Sequence, residues 1–116
     1  MTDEKIVEVL KNLGYEAFKD DATPDEVNGY NSYCVYYLSG VRKQDQHICH
    51  QIIEFVFVNE TDDFDEIKII DTLESIGLSM YGEGEYGRLK KVAGGDIVNS
   101  LTLRFARPKK RKCIYY

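Results

Sequence analysis

Three segments of the chain have the apolar patterns typical of β-strands: residues 33–38, 47–58 and 97–105. The middle segment is a dozen residues long, about twice the usual strand length. We therefore expect it to reach beyond its own small sheet and to expose unpaired backbone groups that invite pairing with a neighbouring chain. Ser39 and Gly40 should end the first strand, and residues 41–46 form a polar connection, so these two strands should make an antiparallel hairpin.

Two segments have helical periodicity. Residues 3–13 place their apolar side chains on one face, and Gly14 supplies the left-handed residue that ends a helix. The second helix should run from about residue 63 to residue 76, with Asp63 and Glu66 as a capping box and Gly77 as its end. Its predicted inward stripe is Phe64, Ile67, Ile70, Leu73 and Ile76.

The remaining segments complete a fold prediction. A short strand is expected at 15–18, a polar loop at 20–31, a bent or bulged stretch at 78–92 and a turn at 94–95. The order predicts an α+β fold, with a mainly antiparallel sheet of about four strands and two helices packed on one face. Residues 1–108 should form this single domain, in which Phe55 and Phe57 pack against Ile67, Ile70 and Leu73 of the second helix.

The net charge of −5 hides a strong segregation of charge along the chain. Residues 1–103 hold nine basic and all 20 acidic residues, a net −11, whereas residues 104–116 hold six basic residues and carry +6. Pro108 and the four cations after it should keep residues 109–112 from extending the last strand. Residues 109–116 are then a basic C-terminal tail, either frayed and solvated or docked on the acidic residues 60–66 of a neighbouring copy.

The polar side chains form no catalytic pattern. The glycines of 81–87 are followed by no helix and accompanied by two glutamates, which argues against phosphate binding. On a strand, His47 and Cys49 share a face that His50 does not, so these three residues do not converge on a metal. Acidic residues at 62–66 suit a helix start better than a cation site. The chain is therefore predicted to be no enzyme, with no catalytic, cofactor-binding or metal-binding residues.

Cysteine usage and hydropathy favour an intracellular setting. Three cysteines, without C-x-x-C spacing, are typical of a reducing compartment, and Cys34 and Cys49 fit buried strand positions. The N-terminus lacks the apolar segment of a signal peptide, and no apolar run approaches the ~20 residues of a membrane span, so no membrane partner is expected.

The ordered elements at 6–14, 32–38, 48–58, 62–77 and 97–105 resemble the tail terminator proteins of long-tailed bacteriophages. The resemblance is one of pattern and length and covers most of the chain, residues 3–107. It implies a ring, usually a hexamer, that caps the tail tube and joins it to the head connector. The implied partners are further copies of the chain, the tail tube protein and the connector or stopper protein, with DNA passing through the lumen without specific binding. The implied location is the virion tail or neck, assembled in the bacterial cytoplasm.

Candidate interface residues lie on the hairpin and on the basic tail. They are Gly40, Arg42, Lys43, Gln44, Gln46, His50, Lys109, Lys110, Arg111 and Lys112. Two other functions remain open at this point. One is a small nucleic-acid-binding module that uses the basic tail, and the other is a phage-encoded inhibitor that binds a host protein through the acidic surface.

Overall fold

The computed structural model describes residues 3–20, 32–43, 48–61, 63–90 and 97–110. Within these ranges the chain forms two helices and six strands. In chain order they are α1 (Asp3–Asn12), β1 (Glu16–Lys19), β2 (Ser32–Lys43), β3 (Ile48–Asn59), α2 (Glu66–Ser75), β4 (Ser79–Met80), β5 (Glu85–Lys90) and β6 (Ile97–Lys110). The predicted loop at 20–31, apart from Asp20, and the predicted turn at 94–95 lie outside the described residues.

All six strands belong to one sheet, in the order β1-β2-β3-β6-β4, with β5 also paired to β6. The β1–β2 pair is parallel and the other pairs are antiparallel. The α+β class and the antiparallel hairpin are confirmed, but the sheet is larger than four strands and is mixed. The glycine-containing stretch after α2 contributes two short strands, because the 14 residues of β6 are long enough to pair with both.

The long strand β3 lies in the middle of the sheet, which corrects the expectation that it exposes unpaired backbone. Its pairing with β6 runs from Ile48 opposite Lys110 to Asn59 opposite Asn99. On its other side it is paired with β2 from Cys49 to Asn59. The prediction was wrong because both neighbouring strands are about as long as β3, with 12 and 14 residues.

Strand β2 continues past the point where it was expected to end. The register shifts by one residue between Leu38 and Gly40, a β-bulge, and pairing then continues to Lys43 opposite Cys49. Ser39, the extra residue, donates its hydroxyl to the Ile52 carbonyl oxygen at 3.3 Å. Gly40 therefore bends the strand without ending it.

Strand β6 continues through Pro108, contrary to the prediction that the basic segment would not extend it. Pro108 lies opposite His50, Lys109 opposite Cys49 and Lys110 opposite Ile48. Proline is tolerated there because β4 pairs with β6 only at Phe105 and Ala106, so β6 is an edge strand further on. The predicted domain boundary at 108 thus falls inside a strand, and Arg111 and Lys112 lie outside the described residues.

Helix α1 follows the sequence prediction closely. Ile6, Val9 and Leu10 are buried, and acidic residues occupy the first turn, where they complement the positive end of the helix. Gly14 adopts φ +95°, a backbone conformation that residues with a Cβ rarely adopt, and so ends the helix as predicted. Lys19 of β1 contacts Asp3 at 2.6 Å, joining the helix start to the first strand.

Helix α2 begins at Glu66, later than predicted, and its inward face also differs from the predicted stripe. The cap is Asp65, whose Oδ1 accepts a hydrogen bond from the Lys68 backbone N–H at 3.2 Å, so the Asp63–Glu66 capping box was wrong. The buried helical residues are Ile69 and Leu73, whereas Ile67 is 75% exposed. Gly77, at φ +96°, ends the helix as predicted.

The core lies between the two helices and one face of the sheet. Phe55 and Phe57 are completely buried in a cluster that includes Leu73, with Ile70 packed against it, so the predicted contact was wrong only for Ile67. Phe55 meets Phe105 edge-on at a centroid distance of 5.6 Å and is stacked with Tyr36 at 5.9 Å. Burial raises the pKa of Tyr36 to about 12.

Cys34 lies on β2 in the core. The Cys34 thiol is buried as predicted, and burial holds its pKa well above the ordinary value. In the described part of the chain, no helix has the length and apolar character needed to cross a membrane.

Candidate assembly surface

The most distinctive part of the molecule is the end of the sheet formed by residues 38–43 of β2, 48–52 of β3 and 106–110 of β6, here called the arm. The remaining described residues, with both helices and the core cluster, are called the body. The molecule is elongated, with extents of 56 × 27 × 23 Å. On the arm, Leu38 is 53% and Val41 69% exposed, so large aliphatic side chains face solvent within regular strands.

The arm contains cations but no carboxylate. Its strand residues include Arg42, Lys43, Arg107, Lys109 and Lys110, together with His50, and not one aspartate or glutamate. The sign of the charge changes at the body, where Glu54 accepts a hydrogen bond from Arg104 Nε at 2.9 Å. The arm is therefore a basic projection from a chain whose net charge is −5.

One face of the arm is apolar and basic. Residues directly opposite one another on neighbouring strands share a face, and Leu38 lies opposite the buried Ile53, so Leu38 points to the helix side of the sheet. Val41 and Arg107 both lie opposite Gln51, and Lys43 lies opposite Cys49, on that same side. We call the exposed surface made by Leu38, Val41, Lys43 and Arg107 the shelf.

Arg107 is held in place on the shelf by a neighbouring amide. Its guanidinium donates to Gln51 Oε1 from Nε at 3.1 Å and from Nη2 at 2.7 Å. This contact with a neutral side chain orients the guanidinium, and no salt bridge to Arg107 is found among the described residues. An acidic partner would therefore meet a pre-ordered cation there.

The other face of the arm carries a cleft of about 360 Å³. The guanidinium carbon of Arg42 lies 5.9 Å from the centroid of the Tyr81 ring, a cation–π contact that fixes the arginine on this face. His50 and Ile52 also line the cleft. Both faces of the arm thus carry at least one ordered cation.

The edges of the arm are protected against strand addition. β1 pairs with β2 only from Tyr33 to Tyr36, so the outer edge of β2 further along has no strand partner among the described residues. This edge is interrupted by the bulge at Ser39, and the edge of β6 carries Pro108. Bulges, prolines and lysines on an edge are devices that discourage pairing with another sheet. The arm therefore offers its faces, more than its edges, to a partner.

A second exposed apolar residue lies on the body. Ile67, 75% exposed, shares one side of α2 with Asp71 and Glu74, which follow at helical spacings of four and seven residues. Both carboxylates are exposed, and Glu74 also accepts a hydrogen bond from the Met80 backbone N–H at 3.5 Å. We call the surface formed by Ile67, Asp71 and Glu74 the α2 stripe.

Glu66 lies outside this stripe because it faces β5. The Tyr86 hydroxyl donates a hydrogen bond to the Glu66 carboxylate, and this bond lowers the pKa of Glu66. Sequence reasoning missed the stripe because it assigned Ile67 to the core. The i, i+4 pair Ile69 and Leu73 was the local signal for an alternative inward face that would leave Ile67 exposed.

The structure places six of the ten predicted interface residues on the arm. They are Gly40, Arg42, Lys43, His50, Lys109 and Lys110. Gln44, Gln46, Arg111 and Lys112 lie outside the described residues. Over residues 3–110, excluding the gaps in the description, no three histidine, cysteine, aspartate or glutamate side chains are grouped as a metal site would require.

Comparison of the chain with protein-family models and with curated proteins found no match.

Proposed function

We propose that this protein is a structural subunit that assembles with further copies of itself, in the ring that terminates a phage tail tube and joins it to the head connector. The observation that carries the proposal is the arm, a regular three-stranded projection with exposed Leu38 and Val41 on one face. The resemblance of the ordered elements to tail terminator proteins supplies the place in the virion.

Self-association would explain the exposed apolar surface of the arm. Exposed aliphatic side chains on an ordered strand contribute little to the stability of the isolated chain, whereas they become buried when a partner covers them. The arginine-rich and lysine-rich surroundings fit the rim of a protein interface, where charged groups select the partner.

The acidic body suits the neighbourhood of DNA in such a ring. Residues 1–103 carry a net −11 even with the arm cations Arg42 and Lys43 counted, so acidic surfaces of the body that faced a lumen would repel the phosphate backbone, and DNA would pass without being gripped. The proposal therefore predicts weak DNA binding by the assembled ring, in spite of its basic arms.

The test is sedimentation combined with electron microscopy of the purified chain, alone and with purified tail tubes. We expect a concentration-dependent oligomer at micromolar concentration, ring-shaped particles, or decoration of the tube ends. A chain that is strictly monomeric and also leaves the tube ends bare would contradict the proposal.

The arm has five cationic residues and no aspartate or glutamate among its strand residues. This composition favours a second candidate function, that of a nucleic-acid-binding module. Binding of this kind depends steeply on salt, with a slope of about −0.9 in log K against log salt for each phosphate contact on duplex DNA. Titration of labelled duplex with the chain at several salt concentrations separates the two. Tight, salt-sensitive binding by the monomer, lost in Lys43→Glu, would favour the module.

A further inference from the structure

The shelf and the α2 stripe have complementary chemistry. The shelf joins exposed Leu38 and Val41 to the cations Lys43 and Arg107. The α2 stripe joins exposed Ile67 to the carboxylates of Asp71 and Glu74. Each surface thus offers an aliphatic anchor beside charge, and the charges of the two are opposite.

Neither surface covers the other within one copy. Ile67 of the stripe is 75% exposed, and the two aliphatic residues of the shelf are 53% and 69% exposed. The stripe approaches the shelf at one end, since Met80, whose backbone N–H donates to Glu74, lies opposite Phe105, two residues before Arg107. The aliphatic side chains of both surfaces therefore stay available to a second copy.

We propose that the shelf of one copy binds the α2 stripe of the next, giving a head-to-tail contact between identical chains. Val41 and Leu38 pack against Ile67 of the neighbour, and Lys43 and Arg107 face Asp71 and Glu74. This inference rests on the proposed function and specifies its interface. Each copy keeps one unused surface of each kind, so the contact repeats and forms a ring if the rotation between copies closes.

The contact also gives the charge segregation of the chain a role. A basic arm and an acidic helix at separate places on one molecule attract in a head-to-tail orientation and repel when two arms or two helices meet. Aligned assembly is therefore favoured over an isologous dimer. Added salt should weaken the contact because the charged groups lie at an exposed rim.

A mixing experiment tests this geometry with two variants. Val41→Glu places a carboxylate on the shelf and leaves the α2 stripe intact, whereas Ile67→Glu disables the stripe and leaves the shelf intact. Both sites are highly exposed, so both variants should fold, as judged by circular dichroism and melting. Each alone should sediment as a monomer. A 1:1 mixture should form dimers with one copy of each variant and nothing larger, because only one working contact remains.

Ile97→Glu is the matched control. Ile97 is 67% exposed at the start of β6 and belongs to neither surface, so this variant should assemble like the unmodified chain. A charge exchange between the two surfaces provides a second, independent test. Lys43→Glu and Asp71→Lys should each weaken assembly at low salt, and the double variant should recover most of the loss, since opposite charges again face each other.

The outcomes separate this inference from the proposed function. If the unmodified chain assembles and Val41→Glu or Ile67→Glu assembles equally well, the inference is wrong and the proposed function stands. A mixture that stays monomeric, or that grows beyond dimers, also overturns the head-to-tail contact. If the unmodified chain fails to assemble alone and on tail tubes, both fail together.

Discussion

The same three strands, β2, β3 and β6, pass through two very different environments. In the body, Phe55 and Phe57 of β3 are completely buried beneath the helices. On the arm, Leu38 and Val41 of β2 are 53% and 69% exposed although their backbone pairing continues. Backbone pairing here extends beyond the main core, and the arm is held by its ladder together with side-chain contacts such as that of Arg107 with Gln51.

The two regions should also differ in local stability. Segments with few buried apolar contacts and exposed backbone hydrogen bonds open more readily than the core. The body supplies nearly all the burial that stabilises the fold, whereas the arm supplies surface. Substitutions should accordingly lower stability when they fall on the buried side chains of the body, and affect assembly when they fall on the arm or on the exposed α2 stripe.

The largest effect is expected for Phe55→Ala in the body. Phe55 is fully buried and touches the rings of Tyr36, Phe57 and Phe105, so truncation leaves a large cavity. The free energy of unfolding should fall by about 3–5 kcal/mol, a large share of the roughly 5–15 kcal/mol typical of a domain. Chemical denaturation monitored by circular dichroism measures the loss. A midpoint close to that of the unmodified chain would contradict the placement of Phe55 in the core.

A matched pair in α2 tests its corrected inward face. Ile69 is 1% exposed and Ile67 75% exposed, two residues apart on the same helix. Ile69→Ala should lower the free energy of unfolding by about 2–5 kcal/mol, whereas Ile67→Ala should change it by no more than about 0.5 kcal/mol. Equal losses in the two variants would show that the helix is rotated from the orientation described.

The sequence predicted the body better than the arm, because alternation of apolar and polar residues reports burial. The apolar run of β3 predicted a strand covered on both faces, and Phe55 and Phe57 were assigned to the helix side of it, where the structure buries them. Residues 39–43 are paired but exposed, and 107–108 are paired but not buried, so no alternation marks these segments as strands. Gly40 and Pro108 suggested that β2 and β6 end there, whereas both strands continue past these residues.

The sequence predicted only part of the candidate assembly surface. Arg42, Lys43 and His50 were identified from their place near a hairpin, which depends on chain order alone. The α2 stripe was missed because α2 contains Ile67, Ile69 and Ile70, and several helical faces then look equally apolar. The structure buries Ile69 and Leu73, a choice made by packing against the sheet, which the apolar pattern does not report.

The smallest effect belongs to a matched pair of valines that compares the two regions directly. Val58 of β3 is 2% exposed in the body, and Val41 of β2 is 69% exposed on the arm. Val58→Ala should lower the free energy of unfolding by about 2 kcal/mol, from lost burial and a small cavity. Val41→Ala should cost well under about 1 kcal/mol, mainly from strand propensity. Both are measured by thermal melting at submicromolar concentration, where association adds least to stability.

At higher protein concentration, where copies associate, Val41→Ala should be the more damaging of the two valine variants for assembly. If copies associate through the arm, the melting temperature of the unmodified chain should rise with concentration, because association stabilises the folded state. Val58→Ala should keep that rise and Val41→Ala should lose part of it, since alanine removes apolar contact from the shelf. If the two variants lost equal stability when dilute, the arm would be as well covered as the body. If Val41→Ala kept the full concentration-dependent rise, Val41 would lie outside the contact between copies.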